Sequence, residues 1–299
     1  MTEHEGVMQD RSFRRRRSVL FMPATNDKAL AKIGSLACDA VIIDLEDAVV
    51  PGEKIAARGK LKQIFAARRP GWPEMVVRIN PLSSEWGAAD LLAAARCQPD
   101  GILLPKLDAP RDILEANDIL DEKEVPASVA LWAMIETARA MLAVGAIGDL
   151  GRYAGTRLAC LVAGTNDLVK ETGVLSTPDR RYLLPWLMQM VLAARAGGVD
   201  VLDGISNDFR DLEAFARECA EAAAMGFDGK TLIHPAQIEP ANKAFSPSQA
   251  ALAEAERIVE AFARLENSGK GVIALDGKMV ERLHLEQAER LLAKAGRTT

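Results

Sequence analysis

The feature that most constrains this chain is a series of eight short apolar runs, most of them followed by a longer amphipathic stretch. The runs cover residues 18–23, 40–46, 74–80, 101–106, 128–136, 157–164, 200–205 and 229–234. They are continuously apolar rather than alternating, which suits strands covered on both faces of a parallel sheet. Helical patterns between them include residues 26–37, 82–96, 109–118, 138–150, 180–196 and 211–225. Eight such units in about 230 residues is the count of a (β/α)₈ TIM barrel. An open doubly wound sheet is the competing architecture, but no G-x-G-x-x-G follows the first strand.

The barrel is expected over residues 17–266, after a disordered basic arm, 1–16, and before a flap or lid, 267–299. A helix begins at Ser246-Pro247-Ser248 and is broken by Asn267-Ser268-Gly269-Lys270-Gly271. A short apolar run, 272–275, then leads through Asp276-Gly277-Lys278-Met279-Val280-Glu281 to a last helix ending near Ala295. This C-terminal helical segment is too small for a domain and suits a hinged flap over a barrel mouth, its own or a neighbour's.

Composition narrows the function classes. Hydrophobic content of 49% with 26% charged residues suits a soluble globular chain. A net charge of −5 argues against nucleic acid, and Arg14–Arg17 read as a solvated arm. No apolar run approaches the roughly 18 residues of a membrane span. No signal-peptide core opens the chain, so a cytoplasmic protein is expected. Cys38, Cys97, Cys160 and Cys219 lack C-x-x-C spacing and read as reduced core residues. Three histidines are too few and too scattered for a zinc site.

A barrel of this kind gathers its chemistry at the C-terminal strand ends. Those ends carry Asp44, Glu46, Asp47, Arg78, Asn80, Lys106, Glu136, Asp167, Asp203 and His234. Helix caps explain an Asp or Asn there, but not an Arg, a Lys and a Glu. Glu136 and Asp167 stand at successive strand ends, and Mg²⁺ takes one or two carboxylates while keeping places for water and substrate oxygens. Arg78 offers a planar fork to a substrate carboxylate. Asp44, Glu46 and Asp47 cannot all stay ionised without nearby cations or donors. Glu46 is therefore expected to hold a metal-bound water or Arg78, with Asp47 in a similar part. Lys106 would face a carboxylate-rich mouth that raises its pKa, so an electrostatic role fits better than a Schiff base.

The runs and their flanks spell RSVLFMPA (17–24), DAVIIDLEDAV (39–49), VRIN (77–80), GILLPK (101–106), MIET (134–137), GTNDL (164–168), DFRD (208–211) and GKTLIHPAQI (229–238). In this order they resemble the citrate lyase β-subunit-like proteins of the HpcH/HpaI aldolase superfamily, which include malyl-CoA and citramalyl-CoA lyases. The resemblance covers residues 17–295. It implies Mg²⁺, with Mn²⁺ as the alternative, on Glu136 and Asp167, and coenzyme A as part of the substrate. The implied reaction is reversible carbon–carbon cleavage of a 3-hydroxyacyl-CoA, such as malyl-, citramalyl- or citryl-CoA, into an acetyl-CoA-type thioester and a 2-oxo acid. Arg78 and Glu46 would be catalytic, and Asp47, Thr165 and Asn166 would shape the substrate pocket.

The same resemblance places Phe21, Pro23, Asn26 and Lys28 at the CoA, with Lys54 and Arg58 adding charge. Relatives carry an acid in the flap, usually an Asp after Gly-x-Met; here Glu281 stands there, with Asp276 as the alternative. His234 is expected to be structural. Relatives assemble as trimers or hexamers, the flap capping a neighbouring subunit. Three alternatives follow: a malyl-CoA thioesterase or malate-synthase-like outcome, a CoA-independent metal aldolase on 2-oxo acids, and a non-catalytic CoA-binding subunit.

Overall fold

The computed structural model describes residues 14–267 and 269–297; most of the expected basic arm, 1–13, lies outside the described residues. The described residues form two units, one of residues 16–245 and one of residues 14–15 with 246–297.

In the first unit strands and helices alternate: β1 (Ser18–Pro23), α1 (Asp27–Leu30), β2 (Ala40–Asp44), α2 (Lys54–Ala66), β3 (Glu74–Arg78), α3 (Gly87–Arg96), β4 (Gly101–Leu104) and α4 (Pro110–Glu122). They continue as β5 (Ala130–Ile135), α5 (Ala138–Asp149), β6 (Leu158–Ala163), α6 (Thr165–Thr172), α7 (Leu184–Gly197), β7 (Asp200–Asp203), α8 (Leu212–Met225), β8 (Gly229–Leu232) and α9 (Ile238–Ala244). The strands are parallel and close into a barrel in chain order, β8 pairing with β1 through Val19 opposite Thr231. All eight apolar runs become strands, and their polar tails leave the sheet to form the loops of the mouth.

Side chains alternate across each strand, so the barrel fills in layers. Along β3 the inward residues are Glu74, Val76 and Arg78, and the middle layer includes Val19, Ile42, Leu103, Cys160 and Leu202. The outward residues of the strands join the larger core under the helices, with Val41, Ile43 and Met75 fully buried. Trp132 plugs the bottom, also fully buried.

Arg16 corrects the expectation of a solvated arginine run. It is buried, its guanidinium 4.8 Å from the Trp132 ring centroid. It donates to both oxygens of Glu74 at 2.8 and 2.9 Å and to Asp200 Oδ2 at 2.7 Å. Arg17 pairs with Asp39, and Arg15 donates to Lys294 O at the C-terminus of the last helix. A cluster of basic residues looks solvated in sequence because its partners are distant in the chain. Replacing Arg16 with methionine removes both hydrogen bonds to the buried Glu74 carboxylate and the ion pair with Asp200, so a loss of about 3 kcal/mol and a Tm lower by roughly 6–12 °C are expected. A thermal melt followed by circular dichroism reads this directly, and an unchanged Tm would refute it.

A second buried ionic group joins β7 and β8 to the elements around them. The fully buried Lys230 donates to Asp203 Oδ2 at 2.6 Å and pairs with Glu218 at 2.6 Å, while Arg180 reaches Asp203 and Glu221. Burial works against the Asp203 charge, but Lys230 and Arg180 hold its pKa below the ordinary value. This network ties β7, β8 and α8 to the loop before α7.

The second unit contains α10 (Gln249–Ala263), β9 (Val272–Leu275), β10 (Lys278–Glu281) and α11 (Arg282–Lys294). The division falls after Phe245 rather than near residue 266, because Leu252 and Ala255 of α10 pack on Ala288 and Leu292 of α11. β9 and β10 form an antiparallel hairpin about Asp276 and Gly277, with φ of +52° and +77°. Asp-Gly with both φ positive is the turn that matches strand twist. Among the described residues no helix is long and apolar enough to cross a membrane.

Candidate active site

The mouth of the barrel is organised by the register of β2 and β3, which sets Asp44 opposite Arg78. Arg78 donates through Nε to Asp44 Oδ1 at 2.7 Å and through Nη2 to Asp44 Oδ2 at 2.6 Å. The other faces of the same carboxylate accept the backbone N–H groups of Glu46 and Ala48 at 2.9 and 3.1 Å. Arg78 is buried above the Phe21 ring, 4.8 Å from its centroid. Burial opposes its charge, yet Asp44 and Glu46 raise its pKa well above the usual value, so it stays a cation. Its Nη1 donates to Met134 Sδ at 3.8 Å and stands 3.0 Å from Glu46 Oε2. The sequence reading gave Glu46 or Asp47 the task of holding Arg78; Asp44 makes the bidentate bond, and Glu46 an ion pair only.

Glu136 follows β5 and is fully buried. Its Oε1 accepts the backbone N–H of Lys106 at 2.7 Å, while its Oε2 is buried with no hydrogen-bond partner. Burial pushes this carboxyl up to about 8 against the opposing pull of Lys106. Glu46 is also raised by burial, partly offset by Arg78. The glycine before α6 makes room for Glu136: a Cβ on Gly164 would lie 2.2 Å from the Glu136 Cβ. Gly164→Ala is therefore expected to push the Glu136 carboxylate aside and lower kcat/KM by about 10²-fold, because misplaced catalytic geometry is costly. Steady-state kinetics on the folded variant tests this; wild-type turnover would sink it.

Asp167 stands in the first turn of α6, together with Thr165 and Asn166. Thr165 is buried, and the Asn166 side chain exchanges hydrogen bonds with Asn207 at 2.9 and 3.1 Å. Lys106, with a left-handed φ of +50°, ends the fourth run. Its ammonium stands 3.2 Å from Asp167 Oδ2, 3.3 Å from Glu46 Oε1, 3.6 Å from Asp47 Oδ2 and 3.8 Å from Glu136 Oε1. Burial works against this charge too, but the four carboxylates raise its pKa, as the sequence suggested.

Five acids thus surround two cations. Among the described residues no three His, Cys, Asp or Glu side chains form an all-protein metal cage. A two-carboxylate site with water and substrate completing the shell is the usual Mg²⁺ arrangement. The unpartnered Glu136 oxygen and the excess of carboxylates fit such an ion.

The remaining sequence candidates are distributed as follows. Pro23 ends β1, Asn26 caps α1 by accepting from Ala29 N, and Lys28 is exposed. Lys54 and Arg58 are not loose phosphate contacts. Lys54 is buried and donates to Asn80 Oδ1 at 2.6 Å and Glu46 O at 3.1 Å, whereas Arg58 donates to Asp90 at 2.6 Å. The His234 ring stacks on Phe209 and its Nδ1 accepts from Ala236 N, a structural part. In the second unit Asp276 pairs with Arg257 at 2.8 Å, and Glu281 precedes α11 with its N–H on His284 Nδ1 at 3.0 Å.

The family described as HpcH/HpaI aldolase/citrate lyase matches residues 17–235. The chain is 47% identical to a (3S)-malyl-CoA thioesterase of Cereibacter sphaeroides, over 93% of this chain and 94% of that one. It is 32% identical to the mitochondrial citramalyl-CoA lyase of Rattus norvegicus, over 94% of this chain and 86% of the other. Among solved structures, CitE of Mycobacterium tuberculosis, in complex with magnesium, acetoacetate and coenzyme A, gives a TM-score of 0.72 at 32% identity. That match covers 94% of this chain and 98% of CitE. With a family match over most of its length and relatives above 30% identity along nearly all of it, the chain belongs to the HpcH/HpaI aldolase/citrate lyase family.

Proposed function

We propose that this protein hydrolyses the thioester of a malyl-CoA-type 3-hydroxyacyl-CoA, on a site whose layout also suits carbon–carbon cleavage. The observation that carries this reading is the 47% identity, over nearly the whole chain, to a (3S)-malyl-CoA thioesterase. The motifs alone ranked carbon–carbon cleavage first and hydrolysis as its alternative; this likeness favours the reverse order. Cleavage is kept as a second reading because a citramalyl-CoA lyase is also a relative.

Glu136 and Asp167 would hold Mg²⁺ or Mn²⁺, which when bound supplies Lewis-acid polarisation at substrate oxygens. Arg78, fixed by Asp44 and Phe21, turns its Nη1 edge to the substrate carboxylate or the developing oxyanion. In hydrolysis water adds to the thioester carbonyl and the C–S bond breaks. The sulfur leaves as the CoA thiol, and a base takes the second proton of the water. Glu46 suits that base: it is buried at the mouth, and its Oε2 lacks a hydrogen bond even beside Arg78. Asp47, Thr165 and Asn166 belong to the substrate pocket in this reading, and Pro23, Asn26 and Lys28 to the CoA path. Phe21, assigned to the CoA path by the motifs, supports the Arg78 guanidinium with its ring. Glu281, or Asp276, supplies an acid from the flap, in a trimer or hexamer where the flap closes a neighbour's mouth.

The experiment is one incubation with malyl-CoA and Mg²⁺, reading free thiol and 2-oxo acid in parallel. Thiol release without matching 2-oxo acid, abolished by EDTA, is the expected result. Acetyl-CoA with an equal amount of 2-oxo acid would establish the lyase reading instead. No turnover of malyl-CoA by either route would overturn both for this substrate.

A further inference from the structure

We propose that the Lys106 ammonium is a built-in occupant of the metal position, neutralising the mouth in the metal-free protein and withdrawing when a divalent cation binds. The inference rests on the reading of Glu136 and Asp167 as the metal's ligands. Lys106 is not docked on one partner. Its Nζ stands among Asp167, Glu46, Asp47 and Glu136 at 3.2 to 3.8 Å, with more carboxylates than an ammonium's three donors can serve well. Such central placement is that of a counter-ion.

The two carboxylates involved are the relevant ones. Glu136 Oε1 and Asp167 Oδ2 face Nζ, and these are the two side chains that would ligate the ion. A divalent cation held by Glu136 and Asp167 would share these carboxylates with the ammonium. Like charges that close repel strongly in a partly buried site. Of the two side-chain cations at the mouth, Lys106 is the one that can yield to a metal ion. The Lys106 side chain is 32% exposed and has a path to water, whereas that of Arg78 is 8% exposed and clamped by Asp44.

The backbone is arranged for such an exchange. The Lys106 N–H donates to Glu136 Oε1 at 2.7 Å, a backbone contact that does not depend on the ammonium. Its φ of +50°, unusual for a lysine, belongs to the turn that brings this N–H to Glu136. The carboxylate therefore keeps its position while the side chain four carbons away swings clear. Competition of this kind weakens metal binding, and reserves firm binding for a state in which substrate oxygens complete the shell.

The test is an electron paramagnetic resonance titration of free Mn²⁺ with wild type, Lys106→Met and Glu136→Gln. Lys106→Met is expected to bind Mn²⁺ at least about tenfold more tightly than wild type, and Glu136→Gln at least about tenfold more weakly. Unchanged binding by Glu136→Gln would overturn the ligand reading itself. Weak binding by Glu136→Gln with equal or weaker binding by Lys106→Met would overturn only the part given to Lys106. A second measurement needs no variant. Acetylation of Lys106 in the wild-type protein, followed by mass spectrometry, is expected to be at least about threefold faster with saturating Mg²⁺, as a freed amine meets solvent. An unchanged or slower rate would overturn the proposal even if Lys106→Met failed to fold.

Discussion

Glutamine at position 136 is expected to lower kcat/KM at saturating Mg²⁺ by at least about 10³-fold, or about 4 kcal/mol of transition-state stabilisation. The substitution keeps the shape and the acceptor for the Lys106 N–H, and removes only the charge and one ligand oxygen. The fold should not suffer. Glu136 is fully buried, and its Oε2 has no hydrogen-bond partner, so ionising it carries a desolvation cost that glutamine avoids. A Tm equal to or above that of wild type, together with the lost activity, would be the signature of a residue retained for chemistry at the expense of stability. Turnover within tenfold of wild type would exclude Glu136 from the metal site.

Arg78→Lys is the second large expected effect, a loss of about 10²-fold in kcat/KM despite the conserved charge. A guanidinium holds both Asp44 oxygens through Nε and Nη2 and still presents Nη1 to the mouth. A lysine ammonium cannot do both at once, and it loses the flat face that lies on Phe21. Hydrogen bonds to charged groups contribute about 1.5–3 kcal/mol each, so losing one in the transition state corresponds to roughly 10- to 150-fold. Separate kcat and KM values sharpen the test. A fall in kcat places Arg78 at the developing charge, a rise in KM alone makes it a ground-state anchor, and a value within threefold of wild type would discard both.

Much of the barrel was legible because its strands are buried on both faces, which writes them as unbroken apolar runs. Their ends were overrun by about two residues, since Leu45–Glu46 or Pro105–Lys106 continue the pattern after the sheet ends. The short α6 escaped notice because its sequence, TNDLVKET, is largely polar and spans little more than two turns. The hairpin at Asp276-Gly277 carried a turn signal, but only one short apolar run, 272–275, was read beside it. At the site, periodicity brought Glu136, Asp167, Arg78 and Lys106 to one end of the barrel. It could not choose which acid meets Arg78. Asp44 and Glu46 are two apart and share a face, and the choice belongs to the pairing of β2 with β3, which sets Asp44 opposite Arg78. Lys54 and Arg58 were misread for a related reason: their partners, Asn80 and Asp90, lie on a neighbouring strand–helix unit.

Arg16 precedes the first strand, yet 184 residues separate it from its partner Asp200. On the ribosome the N-terminal cation emerges long before the seventh strand exists. Glu74 can meet it early, but the floor of the barrel stays open until about two-thirds of the chain has been made. Contacts so distant in sequence close late, because a long loop must first be ordered. The bottom lock therefore distinguishes a finished chain from an unfinished one: a chain halted before Asp200 has no third partner for the arginine, and the barrel is expected to form in one cooperative step after synthesis rather than quarter by quarter.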